Sequence, residues 1–584
     1  MELHRFRPAA ADSLNGNPEI FVLKGDACSG LVTDIRPVGE GTGLPPRREM
    51  NGRPFRLKVL HVNDLHGSLV RLSPYGELPV FSRIAWRVRE LRRQCRHDPD
   101  SGVLFVSAGD ELAGSLFEGL LDDLGSSCSH AAYRLYSAAG LNAAALGNHE
   151  LDLGVQGLRR AIGQEARFPV LAANLPLPEA LKDCIFPAAV LLVKGIRVGM
   201  IGLTAPIQGN RGASQGLQPV DPLPVLRNLL PALQELCDVI LILSHLGYSL
   251  NTATAPVKDA GDRELAQQLP RGVVSLIVGG HTHLALNENG LQQSNIVNGI
   301  PIVQAGMSGR YLGEVTITRN GATAVTSARL LPTADLPCDE GFDRAQVRPL
   351  LEDVRPLLER RYGRVASHPD LLEDALRNDF AAGESALANY LADALVRRCR
   401  EQGVDVDFAV LDASAVNAGL PAGGTLKGRD LYRLVPYADT IRTCRIDGRQ
   451  LLALLQDNAC RLDMPGEPHT ERGFLHFSRE VRYQICAAGD GRPASVYCAS
   501  FNGRPLEELL EQDFVFAAPS FVRRLAAAWE KEAREAGSLP LVDLRSWGFE
   551  DTGLSLRREI MEYVRLQGGV LDVCRDGRLQ VVYR

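Results

Sequence analysis

Residues 145–154 read ALGNHELDLG, and an amide, an imidazole and two carboxylates follow one another there directly after a short apolar run. The apolar run is Ala143–Leu146, and the polar residues are Asn148, His149, Glu150 and Asp152. Such a group either caps a helix, with Asn148 as the capping side chain, or forms part of a functional site. The stretch alone leaves both interpretations open.

Four other apolar, strand-like runs end in polar side chains in the same way. They are Leu57–Val62 before Asp64 and His66, Val103–Ser107 before Asp110, Asp238–Leu243 before His245, and Val273–Val278 before His281 and His283. Glycine turns and helical periodicity separate these runs, which predicts βαβ units with parallel strands. Because parallel strands present their carboxyl ends at one edge of a sheet, we expect the five endings to converge.

Each ending also has a purely structural explanation when it is taken alone. Asp64 fits a turn, Asp110 fits a helix N-cap, and His245 fits a buried histidine. The five endings together indicate a metal site instead. Carboxylate, imidazole and amide ligands suit Mn²⁺, Zn²⁺ or iron. A carboxylate can bridge two cations about 3.5–4 Å apart, and such pairs activate water and bind phosphoryl oxygens.

The bulk composition narrows the class of protein. The chain has 584 residues, too many for one core, with 45% hydrophobic and 23% charged residues. A net charge of −6 argues against a nucleic-acid polymer as partner. No apolar run reaches the ~20 residues that span a membrane, so no membrane span is expected. The first residues contain no apolar signal segment and the 12 cysteines are scattered, so we expect reduced thiols and a cytoplasmic location.

The sequence pattern predicts four segments. Residues 1–54 form an arm rich in glycine, proline and arginine, with one strand at Ile20–Lys24. Residues 55–335 alternate strands and helices, residues 336–366 form a charged helical connector, and residues 367–584 form a second domain. The second domain begins with a helix at Ser385–Arg398, followed by a strand at Val406–Leu411. The oligomeric state is not indicated by the sequence.

The order of the motifs D-x-H, G-D, G-N-H-E, H and G-H-x-H resembles the signature of calcineurin-like metallophosphatases. The surrounding text, VLHVNDLHG, SAGDELAGS, ALGNHELDLG, IVGGHTH and PIVQAG, looks like the 5′-nucleotidase and UDP-sugar hydrolase branch. This resemblance implies an α/β fold: an N-terminal αββα sandwich, then an α+β 5′-nucleotidase-like C-terminal domain joined to it by a helical connector.

The resemblance also implies roles for the strand-end residues. One divalent metal ion would be held by Asp64, His66, Asp110 and His283, and a second by Asp110, Asn148, His245 and His281. His149 matches the catalytic histidine that stabilises the transition state and protonates the leaving oxygen, and Asp152 matches the carboxylate that orients it. Glu150 has no chemical role in this assignment, and we interpret it as a carboxylate that favours the start of a helix.

The second domain departs from the family pattern. In this branch, arginines and two stacked aromatic rings bind the nucleotide. Asp412 and Asn417 stand where the family has asparagine and arginine, whereas Tyr437 and Phe521 are candidates for the two rings, with core packing as the alternative for both. An arginine fork binds phosphate through paired charged hydrogen bonds, and Asn417 cannot replace it. The candidates for a substitute are Arg429, Arg442 and Arg472.

Three functions are consistent with these residues. The leading hypothesis is a metal-dependent phosphohydrolase that cleaves a phosphomonoester, a nucleoside 5′-monophosphate or a related small phosphate ester. The first alternative keeps the site and changes the bond. The substrate is then a phosphodiester such as a cyclic nucleotide, a pyrophosphate such as a UDP-sugar, or a sulfur ester. The second alternative is a non-catalytic metal-binding scaffold, against which the pairing of His149 with Asp152 argues.

Overall fold

The structure is a computed structural model. It describes residues 1–7, 18–39, 43–49, 52–68, 70–73, 76–112, 131–205, 215–249, 261–371, 383–416, 418–435, 440–462, 474–487, 494–520, 522, 542, 544 and 547–583. These residues form two compact units, Met1–Asp353 and Val354–Arg584. The division falls inside the predicted connector, and the predicted domain boundaries stay a prediction. No helix in the described ranges combines the length and apolar character that a membrane crossing requires.

The first sheet of unit 1 carries three of the predicted strand endings. Its seven described strands lie in the order Ile185–Phe186, Val170–Leu171, Ala143–Ala145, Ser101–Ser107, Phe55–Val62, Tyr311–Asn320 and Ala322–Pro332. The first five run parallel, and the last two are antiparallel. The predicted parallel strands are therefore confirmed, and the endings that carry Asp64, Asp110 and Asn148 follow neighbouring strands.

The second sheet carries the other two endings. Its nine described strands lie in the order Ile296–Val297, Ile300–Val303, Leu276–Gly279, Val239–His245, Ile196–Thr204, Ala188–Val193, Glu19–Lys24, Glu2–Arg5 and Arg36–Pro37. The strands from Ile300–Val303 to Ile196–Thr204 run parallel. The endings that carry His245 and His281 therefore also follow neighbouring parallel strands.

The N-terminal residues extend the second sheet. Glu19–Lys24 pairs with Ala188–Val193 and includes the predicted strand Ile20–Lys24. Glu2–Arg5 then pairs with Glu19–Lys24 on one side and with Arg36–Pro37 on the other. Leu3, Phe21 and Leu23 are buried in the core. The described part of the arm is thus part of unit 1, which the sequence pattern did not predict.

The two sheets pack face to face, and helices cover their outer faces. Leu241 and Leu243 lie in the core between the sheets, whereas Ile240 and Ile242 belong to the core under the helices, as the period of two in a strand requires. In the described residues, the helices of unit 1 before the connector are Phe81–Cys95, Ala131–Ala139, Gly154–Glu165, Pro222–Leu236 and Asp262–Gln268. This arrangement is the expected αββα sandwich.

Shorter elements complete unit 1. Single 3₁₀ turns lie at Glu150–Leu153, Glu179–Leu181, Gln293–Asn295 and Thr333–Asp335, and a hairpin joins Val70–Ser73 to Gly76–Pro79.

The predicted connector is helical over Glu340–Phe342, Asp343–Val347 and Arg348–Glu359, of which the middle segment is a π-helix. Asp339 caps this run, since its Oδ1 accepts a hydrogen bond of 3.0 Å from the Phe342 amide.

Unit 2 has the α+β character that the resemblance implies. Its largest described sheet has the order Leu475–Phe477, Phe408–Asp412, Asp513–Pro519, Thr440–Asp447 and Phe549–Ser555. The two smaller sheets contain Thr425–Lys427, Arg361–Val365 and Val570–Leu571, and Arg504–Pro505, Ser495–Phe501, Val481–Ala487 and Leu579–Tyr583. The helices that the structure describes in this unit are Ala386–Glu401, Gly428–Leu434, Gly448–Ala459 and Leu556–Leu566, with short turns at Pro369–Leu371, Ala413–Ala415 and Leu506–Glu508.

Candidate metal centre

Left-handed backbone marks three of the five strand endings that carry candidate ligands. The φ angles are 50° at Asp64, 46° at His66, 57° at Asp110, 73° at His281 and 58° at His283. A residue with a side chain pays about 1–2 kcal/mol for this conformation, so neighbouring bonds must hold it. Part of that support comes from backbone bonds between loops, because the amide of Asp64 donates to Gly109 O at 2.9 Å and that of His66 to Asp110 O at 3.0 Å.

The first group of candidate ligands comprises Asp64, His66 and His283. Nε2 of His66 lies 3.1 Å from Nε2 of His283, and Nε2 of His283 lies 3.4 Å from Oδ1 of Asp64. Burial lowers the pKa of His66 to about 4, which keeps the ring neutral, the form that binds a cation. The side chain of His283 is 35% exposed, so this group is accessible from solvent.

The second group comprises Asp110, His245 and His281, and the amide of Asn148 joins it. Nε2 of His245 lies 2.9 Å from Oδ2 of Asp110, and Oδ1 of Asn148 lies 2.7 Å from Nδ1 of His281. Nδ1 of His245 donates to Ala108 O at 2.7 Å, which directs its Nε2 toward Asp110 as the ligand atom. Burial lowers the pKa of His281 to about 4, so this ring is neutral as well.

The two carboxylates are held in their ionised form by neighbouring donors. Asp64 accepts hydrogen bonds from the His281 amide at 3.1 and 3.0 Å and from Asn63 Nδ2 at 2.7 Å. Asp110 Oδ1 accepts a bond of 2.9 Å from the His149 amide. Burial alone would raise the pKa of Asp110, but the charge of His245 takes it well below its usual range. Both groups are therefore suited to a divalent cation.

His149 lies beside the first group. Its ring centroid is 5.7 Å from that of His66, with the planes at 74°. The capping alternative for the GNHELD stretch does not apply to Asn148, because its Oδ1 faces His281 and the 3₁₀ turn Glu150–Leu153 has no side-chain cap. The side chain of Asp152 lies outside the described part of the chain, so its orienting role stays a prediction.

Sequence reasoning missed the contribution of Glu150. This side chain is fully buried, and its carboxylate accepts backbone hydrogen bonds from Gly147 at 2.8 Å, Asp110 at 3.0 Å, Glu111 at 2.7 Å and Leu112 at 2.9 Å. The interpretation as a carboxylate that favours its own helix start is wrong, because three of the four donors lie in the loop after Ser101–Ser107, residues 108–112, which we call the Asp110 loop. Burial and the charge of Asp110 raise the pKa of Glu150, and the bound amides act against this shift.

Two buried amide side chains also support the site and were not predicted. Asn63 bonds to Asp64, to Gly306 O at 2.7 Å and to the Ala305 amide at 2.7 Å. Gln304 donates to Gly280 O at 2.9 Å and accepts from the Leu284 amide at 3.2 Å, which brackets the loop that carries both GHTH histidines. Both residues stand in motifs that carry the resemblance, Asn63 in VLHVNDLHG and Gln304 in PIVQAG, but neither was assigned a role.

A glycine allows the two central loops to touch. A Cβ atom on Gly147 would lie 2.2 Å from both N and Oδ1 of Asp110 and 2.6 Å from Oε2 of Glu150. Gly147 does not have a positive φ, so the need for glycine is steric and not conformational. The close approach of residues 147–150, which we call the GNHE loop, to Asp110 therefore depends on the absence of a side chain at residue 147.

The predicted substrate residues of unit 2 are only partly described. Asp412 ends the strand Phe408–Asp412 and is 1% exposed, so it presents no open carboxylate to solvent. Of the candidate arginines, Arg429 forms an ion pair with Glu359, and Arg442 Nε lies 3.7 Å from Asp551 Oδ2. Asn417, Tyr437, Arg472 and Phe521 lie outside the described residues, and their roles stay predictions.

Comparison with known proteins shows two family models in succession. Residues 57–285 match the calcineurin-like phosphoesterase model, and residues 365–524 match the 5′-nucleotidase C-terminal domain. The chain is 26% identical over 536 residues to a 5′-nucleotidase of Vibrio cholerae, covering 86% of this chain and 90% of that protein.

Solved structures show the same fold. A 5′-nucleotidase precursor from Thermus thermophilus aligns with a TM-score of 0.61 at 24% identity, over 90% of this chain and 99% of that chain. A putative 5′-nucleotidase from Staphylococcus aureus, in complex with alpha-ketoglutarate, aligns with a TM-score of 0.69 at 18% identity, over 91% and 100%.

Divalent metal ions are implied by the phosphoesterase family, and the two ligand groups fit them, because oxygen and imidazole donors converge there without a thiolate. The chain therefore combines a calcineurin-like phosphoesterase domain with a 5′-nucleotidase C-terminal domain, and it is a metal-dependent hydrolase of phosphoric esters.

Proposed function

We propose that the protein hydrolyses phosphomonoesters, with nucleoside 5′-monophosphates as its substrate class, at a site for two divalent cations. The observation that carries the proposal is the side-by-side arrangement of the two ligand groups around the buried carboxylates of Asp64 and Asp110. The relatives named as 5′-nucleotidases support the nucleotide as the substrate class.

The ligands divide between the cations as follows. Asp64, His66, Asp110 and His283 would hold the first cation, and Asp110, Asn148, His245 and His281 would hold the second. Mn²⁺, Zn²⁺ and iron all suit this donor set. When bound, such a pair lowers the pKa of water and stabilises negative charge on phosphoryl oxygens.

His149 is proposed as the general acid for the leaving oxygen. Its amide is fixed on Asp110, and its ring is partly exposed beside His66, within the same cluster as the ligands. An imidazole can donate its proton near neutral pH, which suits an alkoxide leaving group. Asp152, three residues further along, would orient the ring and hold its charge after protonation.

Recognition of the nucleoside is assigned to the C-terminal domain. Tyr437 and Phe521 are the proposed stacking residues for the base. Arg429 and Arg442 engage Glu359 and Asp551, which makes them poor candidates for a phosphate fork. The sequence has Asn417 where the family has an arginine. We therefore expect weaker binding of the phosphate group than the resemblance alone would imply.

The test uses purified full-length protein stripped with EDTA and then supplied with Mn²⁺ or Zn²⁺. Phosphate release is measured from nucleoside 5′-monophosphates, UDP-sugars, cyclic nucleotides, sugar phosphates and an aryl phosphate. We expect metal-dependent turnover that is fastest with nucleoside 5′-monophosphates. Faster turnover of another class would overturn the substrate assignment, and the absence of any metal-dependent turnover would overturn the function.

A further inference from the structure

Glu150 has all four acceptor positions of its carboxylate occupied by backbone amides. Oε2 accepts from Gly147 and Asp110, and Oε1 accepts from Glu111 and Leu112. A carboxylate has about four lone-pair sites, so no position is left for a cation. Glu150 is therefore not a ligand, although it stands next to the catalytic histidine in the sequence.

The donors show what this carboxylate holds together. Three successive amides, those of Asp110, Glu111 and Leu112, point at one side chain that lies about 40 residues away along the chain. Successive amides turned toward one point form a concave anion site. The fourth amide belongs to Gly147 in the GNHE loop, so the carboxylate of Glu150 joins that loop to the Asp110 loop.

The joined loops set the position of Asp110. This residue has a left-handed backbone with a φ of 57°, which it does not favour on its own. Its Oδ1 accepts from the His149 amide, and its Oδ2 faces Nε2 of His245 at 2.9 Å. A small shift of the Asp110 loop would move both carboxylate oxygens at once, because the backbone conformation directs the side chain.

We propose that Glu150 is a positioning residue that holds Asp110 in its metal-binding place by tying the Asp110 loop to the GNHE loop. The proposal rests on the metal site of the proposed function but not on the identity of the substrate. It predicts that removal of the Glu150 carboxylate weakens the binding of both cations, because Asp110 is the ligand proposed for both.

The principal variant is Glu150→Gln, which keeps the shape and replaces one acceptor oxygen with an amide nitrogen that faces two backbone donors. The matched control is Glu314→Gln. Glu314 is also buried in unit 1, but its partners are Arg87 and Arg329 and none of the metal ligands. Each protein is stripped with EDTA and titrated with Mn²⁺ by calorimetry, while electron paramagnetic resonance counts the free Mn²⁺.

We expect the apparent Kd for Mn²⁺ to rise at least about tenfold in Glu150→Gln, as found when an outer partner of a metal ligand is removed. The increase in Tm on addition of Mn²⁺ should shrink in parallel. Glu314→Gln should lower the Tm in EDTA and keep the wild-type Kd. Excess Mn²⁺ should restore much of the kcat of Glu150→Gln with little change in KM.

The outcomes are separable. A wild-type Kd and stoichiometry in Glu150→Gln would overturn the proposal, as would an equal loss of affinity in Glu314→Gln. If Glu150→Gln does not fold, as judged by circular dichroism, Glu150→Asp takes its place. This variant keeps the charge and shortens the reach, so an unchanged Kd there would also overturn the proposal. Failure of the wild type to bind Mn²⁺ or Zn²⁺ would instead overturn the proposed function.

Discussion

Oδ2 of Asp110 lies 2.9 Å from Nε2 of His245, and both side chains are almost wholly inaccessible to solvent. The carboxylate comes from the ending of Ser101–Ser107 in the first sheet, and the imidazole comes from the end of Val239–His245 in the second sheet. This contact therefore joins the two sheets of the sandwich at the edge where the candidate metal ligands lie. Because the pair is buried, each group depends on the other or on a cation for its stability.

Replacement of Asp110 by asparagine should remove the ligand that is proposed for both cations. We expect loss of tight Mn²⁺ binding and a fall in kcat of at least about 100-fold, since even the outer partners of metal ligands account for 10–100-fold effects. The measurement is metal content by mass spectrometry together with phosphate release. Asp335→Asn, which changes an exposed aspartate, is the control and should leave both unchanged. Full metal content in Asp110→Asn would contradict the assignment.

The strand endings were predictable because their signal is local. Each ligand follows directly on an apolar run, and the parallel sheets place these endings together. Asp64, Asp110 and His245 thus converge although they lie far apart in sequence. The bounds of the strands were less predictable. The strand Leu276–Gly279 begins three residues after the start of the run Val273–Val278, because hydrophobicity does not mark where sheet pairing begins.

Replacement of His149 by alanine should impair the protonation of the leaving oxygen and leave the ligands in place. We expect kcat to fall by about 10²–10⁴-fold, the usual contribution of a general acid. An aryl phosphate with an acidic leaving group needs less protonation, so its loss of kcat should be much smaller than that of a nucleoside monophosphate. The exposed His97→Ala is the control. Equal losses for both substrates would argue against the acid role.

Removal of the Glu314 carboxylate should give a pH-dependent loss of stability. Burial alone would raise the pKa of Glu314, but the hydrogen bonds and charge of Arg87, with the charge of Arg329, lower it below 4.5. A lowered pKa stabilises the fold above about pH 4.5, and this contribution disappears as the pH falls through the folded-state pKa.

Glu314→Gln should therefore cost about 2 kcal/mol at pH 7, the usual worth of hydrogen bonds to a charged group, and progressively less below pH 4.5. The measurement is the Tm of both proteins in EDTA from pH 7 to pH 3. Glu179→Gln removes an exposed pair with Lys182 and should barely change the Tm at any pH. A difference between wild type and Glu314→Gln that grows toward low pH would contradict the sign.

The supporting groups could not be predicted, because their partners are distant and belong to the backbone. Glu150 looked like an ordinary residue at a helix start, and nothing in its neighbourhood identifies the amides of Glu111 and Leu112 as donors. The strand Glu2–Arg5 was equally hidden. Its residues ELHR are mostly polar, and only pairing with Glu19–Lys24 makes them a strand. The spacing of apolar residues along the sequence indicates which residues are buried. It does not indicate contacts between distant segments, which form only in the folded protein.

Replacement of Gly147 by alanine tests the contact between the GNHE loop and the Asp110 loop, because the added methyl group would clash there. A Cβ atom there would lie 2.2 Å from two atoms of Asp110, so one of the two loops must move. We expect Gly147→Ala to cost about 1–3 kcal/mol, as overpacking does, and to weaken Mn²⁺ binding because Asp110 is displaced. Calorimetric titration with Mn²⁺ and thermal unfolding measure the two effects.

The control for this variant is Gly163→Ala in the helix Gly154–Glu165. A Cβ atom on Gly163 meets nothing within 4 Å, and alanine favours the helix by about 0.5–1 kcal/mol over glycine. The same chemical change should therefore raise the Tm at residue 163 and lower it at residue 147, with metal affinity lost only at 147. Wild-type Mn²⁺ affinity in Gly147→Ala would show that the Asp110 loop does not depend on close contact with the GNHE loop.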